Sequence, residues 1–276
     1  MGVTTAAPIA PPPPVRLVAA ARGVCGRSGR AAARFVGDLG RLGLFGATTL
    51  ARLPARPVRV LETVSQLELI GARSAGVVVL SAIFTGLVLA LQGYNVLVRF
   101  GSENLVGSLV ALSLTRELAP VLTAIMVTAR AGSAMAATIG NMAVTEQIDA
   151  LKSLAIDPVH YLVVPRFIAT VVALPILTAA FSLAGIAAAY VFGTAVLGLD
   201  GLAFMSNVRS SVEWNDVSVG LWKSVIFGGL IALVAAFRGY ETRGGARGVG
   251  RSTSRTVVDS AVLILVGDYI VTALFF

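Results

Sequence analysis

The sequence predicts an all-α integral membrane protein: an N-terminal amphipathic helix at the interface, five transmembrane helices, and a cytosolic helix between spans two and three. Three observations carry this prediction. Hydrophobic residues make up 56% of the chain and charged residues only 13%, a balance foreign to soluble domains. Mean hydropathy is +0.86. Apolar runs of about 20 residues recur, and at about 1.5 Å per residue each can cross a hydrocarbon core of roughly 30 Å. A soluble all-helical core would not need runs of this length.

The elements follow in order. Residues 1–33 are rich in Pro, Ala and Arg, and four consecutive prolines stand where a signal peptide would need its apolar core. They read as a disordered cytosolic tail. In residues 34–73, arginines and acids dilute the apolar positions too far for a span, and the stretch 34–53 fits a helix lying in the headgroup region. Pro54 and Pro57 end it, and a second short helix is expected within 58–73. Residues 74–276 form the five-span domain, with spans read at 76–97, 105–129, 168–199, 217–237 and 257–276. The third has residues to spare and holds Pro175, so tilt or a kink is expected. Its small residues ("SLAGIAAAYVFGTA") would let a neighbouring helix come close.

Charge sets the orientation. Ten arginines precede residue 74, Arg130, Lys152 and Arg166 follow span two, and five arginines run from Arg238 to Arg255. The opposite loops hold only Arg99 and Arg209, beside Glu103, Asp200, Glu213 and Asp216. The positive-inside rule therefore puts the N-terminus in the cytosol and the C-terminus outside. The net charge of +8 lies in segments between apolar runs, as expected for contact with an anionic membrane surface rather than nucleic acid. One cysteine, Cys25, and one histidine, His160, leave no basis for an internal disulfide or a metal cluster. No phosphate loop or Ser/His/Asp set is present, so no cofactor or catalytic role is expected, and any energy must come from another subunit.

Two constellations stand out. The first is ionisable groups inside spans: Arg116 and Glu117 near the middle of span two, Lys223 in span four and Asp268 in span five. Each costs several kcal/mol in lipid unless paired or hydrated, about 2.5–3.5 kcal/mol on insertion scales. Adjacent helical residues point about 100° apart, so Arg116 and Glu117 do not neutralise one another and need partners elsewhere. One reading is an interhelical ion network that fixes packing, with Glu117 or Asp268 serving the bases. The other is a polar cavity whose cations meet an anionic group, and the two are compatible. The second constellation is the loop 140–166, read as a helix over about 144–155. Glu146, Gln147, Asp149 and Lys152 occupy its polar side; Ile148, Leu151, Leu154 and Ile156 are left for another surface. So short a helix must dock, on its own membrane domain or in a groove of a soluble subunit.

The segments "LVALSLTRELAPVLTAIMVTARAGSAMAATIG", "TEQIDALKSLAIDPVHYLVVPR", "LWKSVIFG" and "GVGRSTSRTVVDSAVLILVGDYIVTALFF", with "LQGYNVL", resemble the MlaE (YrbE-like) permeases, membrane subunits of MCE-associated ABC transporters. The resemblance covers about residues 35–276. It implies a homodimer binding an ABC ATPase subunit on the cytosolic side and a hexameric MCE-domain protein outside, in the bacterial inner membrane, with a phospholipid or related lipid as cargo. Substrate-binding positions carried over on this resemblance are Arg116, Glu117, Lys223, Leu89, Val96 and Phe100. Tyrosine is common at the last, so a hydroxyl is missing here. ATPase-coupling positions are Glu146, Gln147, Asp149, Leu151 and Asp157, with Glu-Gln where many members carry two acids. Competing readings are an ion-coupled carrier using Glu117 and Asp268, against which the lack of an internal repeat weighs, and a structural anchor for an outer assembly.

Overall fold

A computed structural model describes residues 37–53 and 59–275. The tail read over residues 1–33 lies outside these residues. Among the described residues there is helix and no strand, and five helices are long and apolar enough to cross a membrane: Val60–Phe100, Glu103–Val144, Val159–Ala195, Trp214–Tyr240 and Gly245–Phe275. The protein is therefore an all-α, multi-pass membrane protein. Two compact units divide it at Ala47 and Thr48. The first contributes residues 37–47, all helical, with an Arg41–Asp38 pair one turn apart; the helix (α1) covers 37–52. Everything below concerns the second unit.

Every span is longer than, or displaced from, the apolar run that predicted it. Span one consists of α2 (Val60–Leu67), a wide π-turn (Glu68–Ala72) and α3 (Arg73–Leu97); the short helix expected over 58–73 thus runs on into the span. Span two is α4 (Val106–Ser113), α5 (Ala119–Val127) and α6 (Ser133–Val144), joined by π-turns at Leu114–Leu118 and Thr128–Gly132. The expected end at Ala129 is overturned because Arg130 sits in a π-turn and the helix resumes through small residues to Val144. The helix expected over 144–155 shrinks to α7 (Gln147–Ser153), since Val144 still belongs to α6. Span three begins at Val159 (α8, Val164–Ala195, after a π-turn over Val159–Val163). Pro158 fixes the φ that a helix start needs, and α8 continues through Pro175.

Spans three and four are joined by an unforeseen helix, α9 (Gly201–Ser211), capped by Asp200, whose carboxylate accepts from Leu202 N at 3.1 Å. Its Phe204 is buried and meets Tyr190 edge-on, ring centroids 5.7 Å apart. Span four, α10 (Trp214–Tyr240), is the most enclosed helix, with Phe227 and Ile231 wholly buried. Span five, α11 (Gly245–Phe275), starts well before the expected residue 257. Its first turns are tied to α10, because Ser252 Oγ donates to Arg238 O at 2.8 Å and Arg238 pairs with Asp259 at 2.6 Å.

Packing follows small residues, as the composition of span three predicts. The buried stripe of α3 is Ser74, Val78, Ala82, Gly86, Ala90 and Gly93. A Cβ on Gly86 would stand 2.1 Å from Gly185 O, so α3 and α8 touch backbone to backbone, which in lipid replaces the missing hydrophobic drive. Large apolar side chains such as Phe84 and Leu183 point outward, which suits a lipid surroundings and would be costly in water.

Candidate functional site

The site is built on an irregularity in span two. Pro120 has no N–H to offer the carbonyl of Arg116 four residues earlier, and its ring crowds that carbonyl. The helix widens there into the π-turn Leu114–Leu118. The freed carbonyl finds a new donor: Lys223 Nζ lies 3.1 Å from Arg116 O. Lys223 reaches it because α10 comes very close at Gly220, where a Cβ would stand 2.3 Å from Thr115 O. Any larger residue at 220 would push the two helices apart.

Lys223 is wholly buried, and its ammonium is surrounded by acceptors. Nζ lies 2.5 Å from Glu117 Oε2 and 3.0 Å from Asp268 Oδ1, and donates to Thr272 Oγ1 at 2.8 Å. Thr272 Oγ1 in turn donates to Asp268 O at 2.8 Å, so one turn of α11 supplies two of the partners. Arg116 turns the other way. Its Nη2 lies 2.7 Å from Asp216 Oδ1 on the first turn of α10. Asp216 is buried and its Oδ2 accepts from Glu213 N at 3.0 Å, half of a capping box that closes the start of α10. A helix N-terminus is where a carboxylate is electrostatically welcome.

The adjacent charges of span two are thus neutralised by different helices, as their divergence requires. Asp216 and Lys223, seven residues apart and so about 10 Å along one face of α10, take one each. Three carboxylates face two cations, a dense arrangement that burial tolerates only when every charge is paired. The cluster is not sealed: the side chains of Arg116 and Glu117 are 37% and 38% exposed, while that of Lys223 is 0%. Arg116 and Glu117 are thus open to their surroundings, while Lys223 lies wholly buried beside the acids it holds.

Leu89, Val96 and Phe100 lie on α3 and the turn after it, with Val96 and Phe100 well exposed. At about 100° per residue they share one flank of the buried stripe. Ile83 and Leu87 lie on the other flank, where with Ala188, Val191 and Phe192 of α8 they line an apolar groove of about 510 Å³.

At the opposite end, α7 is held by Ile148, which is 4% exposed, whereas Leu154 is 70% exposed. Glu146, Gln147 and Asp149 are also exposed, and Leu151 is half-buried. Glu146 and Ala155, on either side of α7, adopt φ near +60°, a left-handed conformation that non-glycine residues enter only when surroundings enforce it. Lys152 Nζ bonds Asp149 at 2.7 Å, and that bond, with nearby Tyr240, raises the lysine above its ordinary pKa. Asp157 is engaged within the chain: it pairs with Arg52 of α1 at 2.6 Å and accepts from Val159 N at 3.0 Å.

Asp216 and Thr272 were not singled out in the sequence. Asp216 was read as a loop acid; the signal was the spacing Glu213-x-x-Asp216, the pattern of a capping box before an apolar run. For Thr272 the signal was its place one turn beyond Asp268.

Fold and cluster together define a multi-pass membrane protein that keeps an ion-paired polar site within its spans. A sequence model of the family described as permease MlaE matches residues 63–274. The chain belongs to the MlaE permease family and is a transporter permease. It is 39% identical over 248 residues to a probable ABC transporter permease protein of Rickettsia prowazekii, covering 90% of this chain and 96% of the relative. It is 40% identical over 245 residues to the intermembrane phospholipid transport system permease protein MlaE of Haemophilus influenzae, covering 88% and 93%. The chloroplastic protein trigalactosyldiacylglycerol 1 of Arabidopsis thaliana is 38% identical over 215 residues, 78% of this chain and 61% of the relative.

Proposed function

We propose that this permease is the non-catalytic membrane subunit of an ATP-driven phospholipid transporter in a bacterial inner membrane, N-terminus in the cytosol and C-terminus in the periplasm. The observation that carries this reading is the part-exposed Arg116 guanidinium, held by buried Asp216 beside the Lys223–Glu117–Asp268 group. A guanidinium matches phosphate oxygens two at a time. Held by Asp216, the part-exposed guanidinium of Arg116 meets the phosphate of a lipid headgroup, and the exposed flank of Leu89, Val96 and Phe100 covers the acyl chains. A homodimer places two such outward flanks around one cavity. The naming of the Haemophilus influenzae relative for phospholipid transport supports the choice of cargo.

Energy enters at the other end. A separate ABC ATPase seats on the exposed side of α7, through Glu146, Gln147, Asp149 and Leu151, while Asp157 holds the loop to α1. Because α6, α5 and α4 form one helical rod, a push on α7 arrives at the Leu114–Leu118 turn, where the cluster is built. The cargo passes to a hexameric MCE-domain protein on the periplasmic side. Mass spectrometry of lipid retained by the complex extracted with its ATPase tests the reading. Phospholipid at defined stoichiometry in the wild type, and less in Arg116→Gln, is the expected result; equal retention would remove the headgroup role.

A further inference from the structure

A second cationic site lies at the α7 end of the spans. A cavity of about 270 Å³ is lined by Arg73 from span one, Arg130 from span two and Arg166 from span three, with Leu69, Ile70 and Met135 supplying apolar wall. Among the described residues no Asp or Glu lines it. Arg166 is oriented by its bond to Leu162 O at 2.6 Å, and among the described residues no ion pair engages Arg73 or Arg130. The backbone is irregular at this level in all three spans. Arg73 directly follows the π-turn Glu68–Ala72, Arg130 lies within Thr128–Gly132, and Arg166 comes shortly after Val159–Val163. Such widened turns redirect the side chains around them and gather at binding sites.

We infer that this cavity binds the phosphate group of an anionic lipid drawn from the leaflet at the α7 end. Three guanidinium groups without an acid repel one another, and a phosphate anion relieves that repulsion while its oxygens accept forked hydrogen bonds. The apolar wall and the position between spans favour a phosphate that carries acyl chains over a free ion, since basic pockets between spans are suited to lipid headgroups. Arg130 is fourteen residues beyond Arg116, about 21 Å along the same rod, so this site is separate from the charged cluster. It stands whether or not the transport reading above holds.

The test uses the full chain in detergent, with native mass spectrometry during titration with phosphatidylglycerol, a diacylglycerol of the same chains, or inorganic phosphate. Wild type is expected to hold phosphatidylglycerol in preference to diacylglycerol, with millimolar inorganic phosphate a weak competitor. Each of R73Q, R130Q and R166Q should weaken it about tenfold, the loss of one charge-assisted bond. The control variant R99Q/R209Q/R247Q, which removes three charges at exposed arginines elsewhere, should bind as wild type. Unchanged binding in the three variants, or equal loss in the control, overturns the site. Equal retention of diacylglycerol, or tight binding of inorganic phosphate, overturns the lipid as occupant. Loss of ATPase co-purification with lipid binding intact would assign the arginines to a protein acid instead. Wild type alone gives a further check free of folding effects: a phospholipid with a photoreactive headgroup should label peptides containing residues 69–73 and 130–135, and labelling confined to other regions contradicts the site.

Discussion

Lys223→Met removes one ammonium and nothing else of consequence in volume, and the structure states what that ammonium holds. Its Nζ meets the carbonyl of Arg116, the carboxylates of Glu117 and Asp268, and the hydroxyl of Thr272. Without it Glu117 and Asp268 face each other with no base between them, and the carbonyl freed by Pro120 loses its Lys223 donor. Removing one partner of a buried pair costs about 3–5 kcal/mol, because the remaining charge is left uncompensated. For a chain of this size that corresponds to a fall in Tm on the order of 10 °C. The fluorescence of Trp214 and Trp222, both on α10, follows unfolding in detergent. A second variant separates charge from packing: Lys223→Met with Glu117→Gln and Asp268→Asn removes the acids together with the base. Replacing a whole buried ion group with neutral isosteres is close to neutral in stability, so this triple variant should recover most of the loss. A single variant as stable as wild type, or a triple variant as unstable as the single one, would refute the reasoning.

Other outcomes follow from the same geometry. Asp216→Asn should cost less than Lys223→Met, about 1–3 kcal/mol, because the part-exposed Arg116 can turn to water; thermal unfolding of the two variants side by side checks the order. Gly220→Ala places a Cβ 2.3 Å from Thr115 O, so α10 must shift; about 1–3 kcal/mol of destabilisation with weakened lipid retention is expected, and wild-type values for both would contradict the close approach. Reversing charge at Glu146 and Asp149 together should release the ATPase in pull-down while leaving the unfolding temperature of the chain unchanged.

Much of the fold was legible because membrane spans announce themselves by length and apolarity alone. Their ends were not, since polar residues extend a helix whenever another helix satisfies them. Arg238, Ser252 and Asp259 tie the polar start of α11 to α10, and nothing local marks that. For the site, depth and helical divergence were enough to separate Arg116 from Glu117 and to bring in Lys223 and Asp268. Which cation takes which acid depends on how α10 is set against span two, and that is fixed by Gly220 and Pro120, residues that carry no charge. Asp216 was hidden for a related reason: at the edge of an apolar run, a capping acid and a loop acid look alike. The π-turns beside Arg73, Arg130 and Arg166 have no sequence signature of this kind, so the second cationic cavity emerges only when three spans are assembled.

We propose that Arg116, held by Asp216, meets the phosphate of a transported lipid. ATP-dependent transfer of phospholipid by the complete complex reconstituted in vesicles, comparing wild type with Arg116→Gln at matched ATPase content and confirmed fold, reads that contact. A drop in transfer with the ATPase still bound is the result expected. Transfer at the wild-type rate in Arg116→Gln would contradict the claim and leave the cluster as a device for helix packing alone.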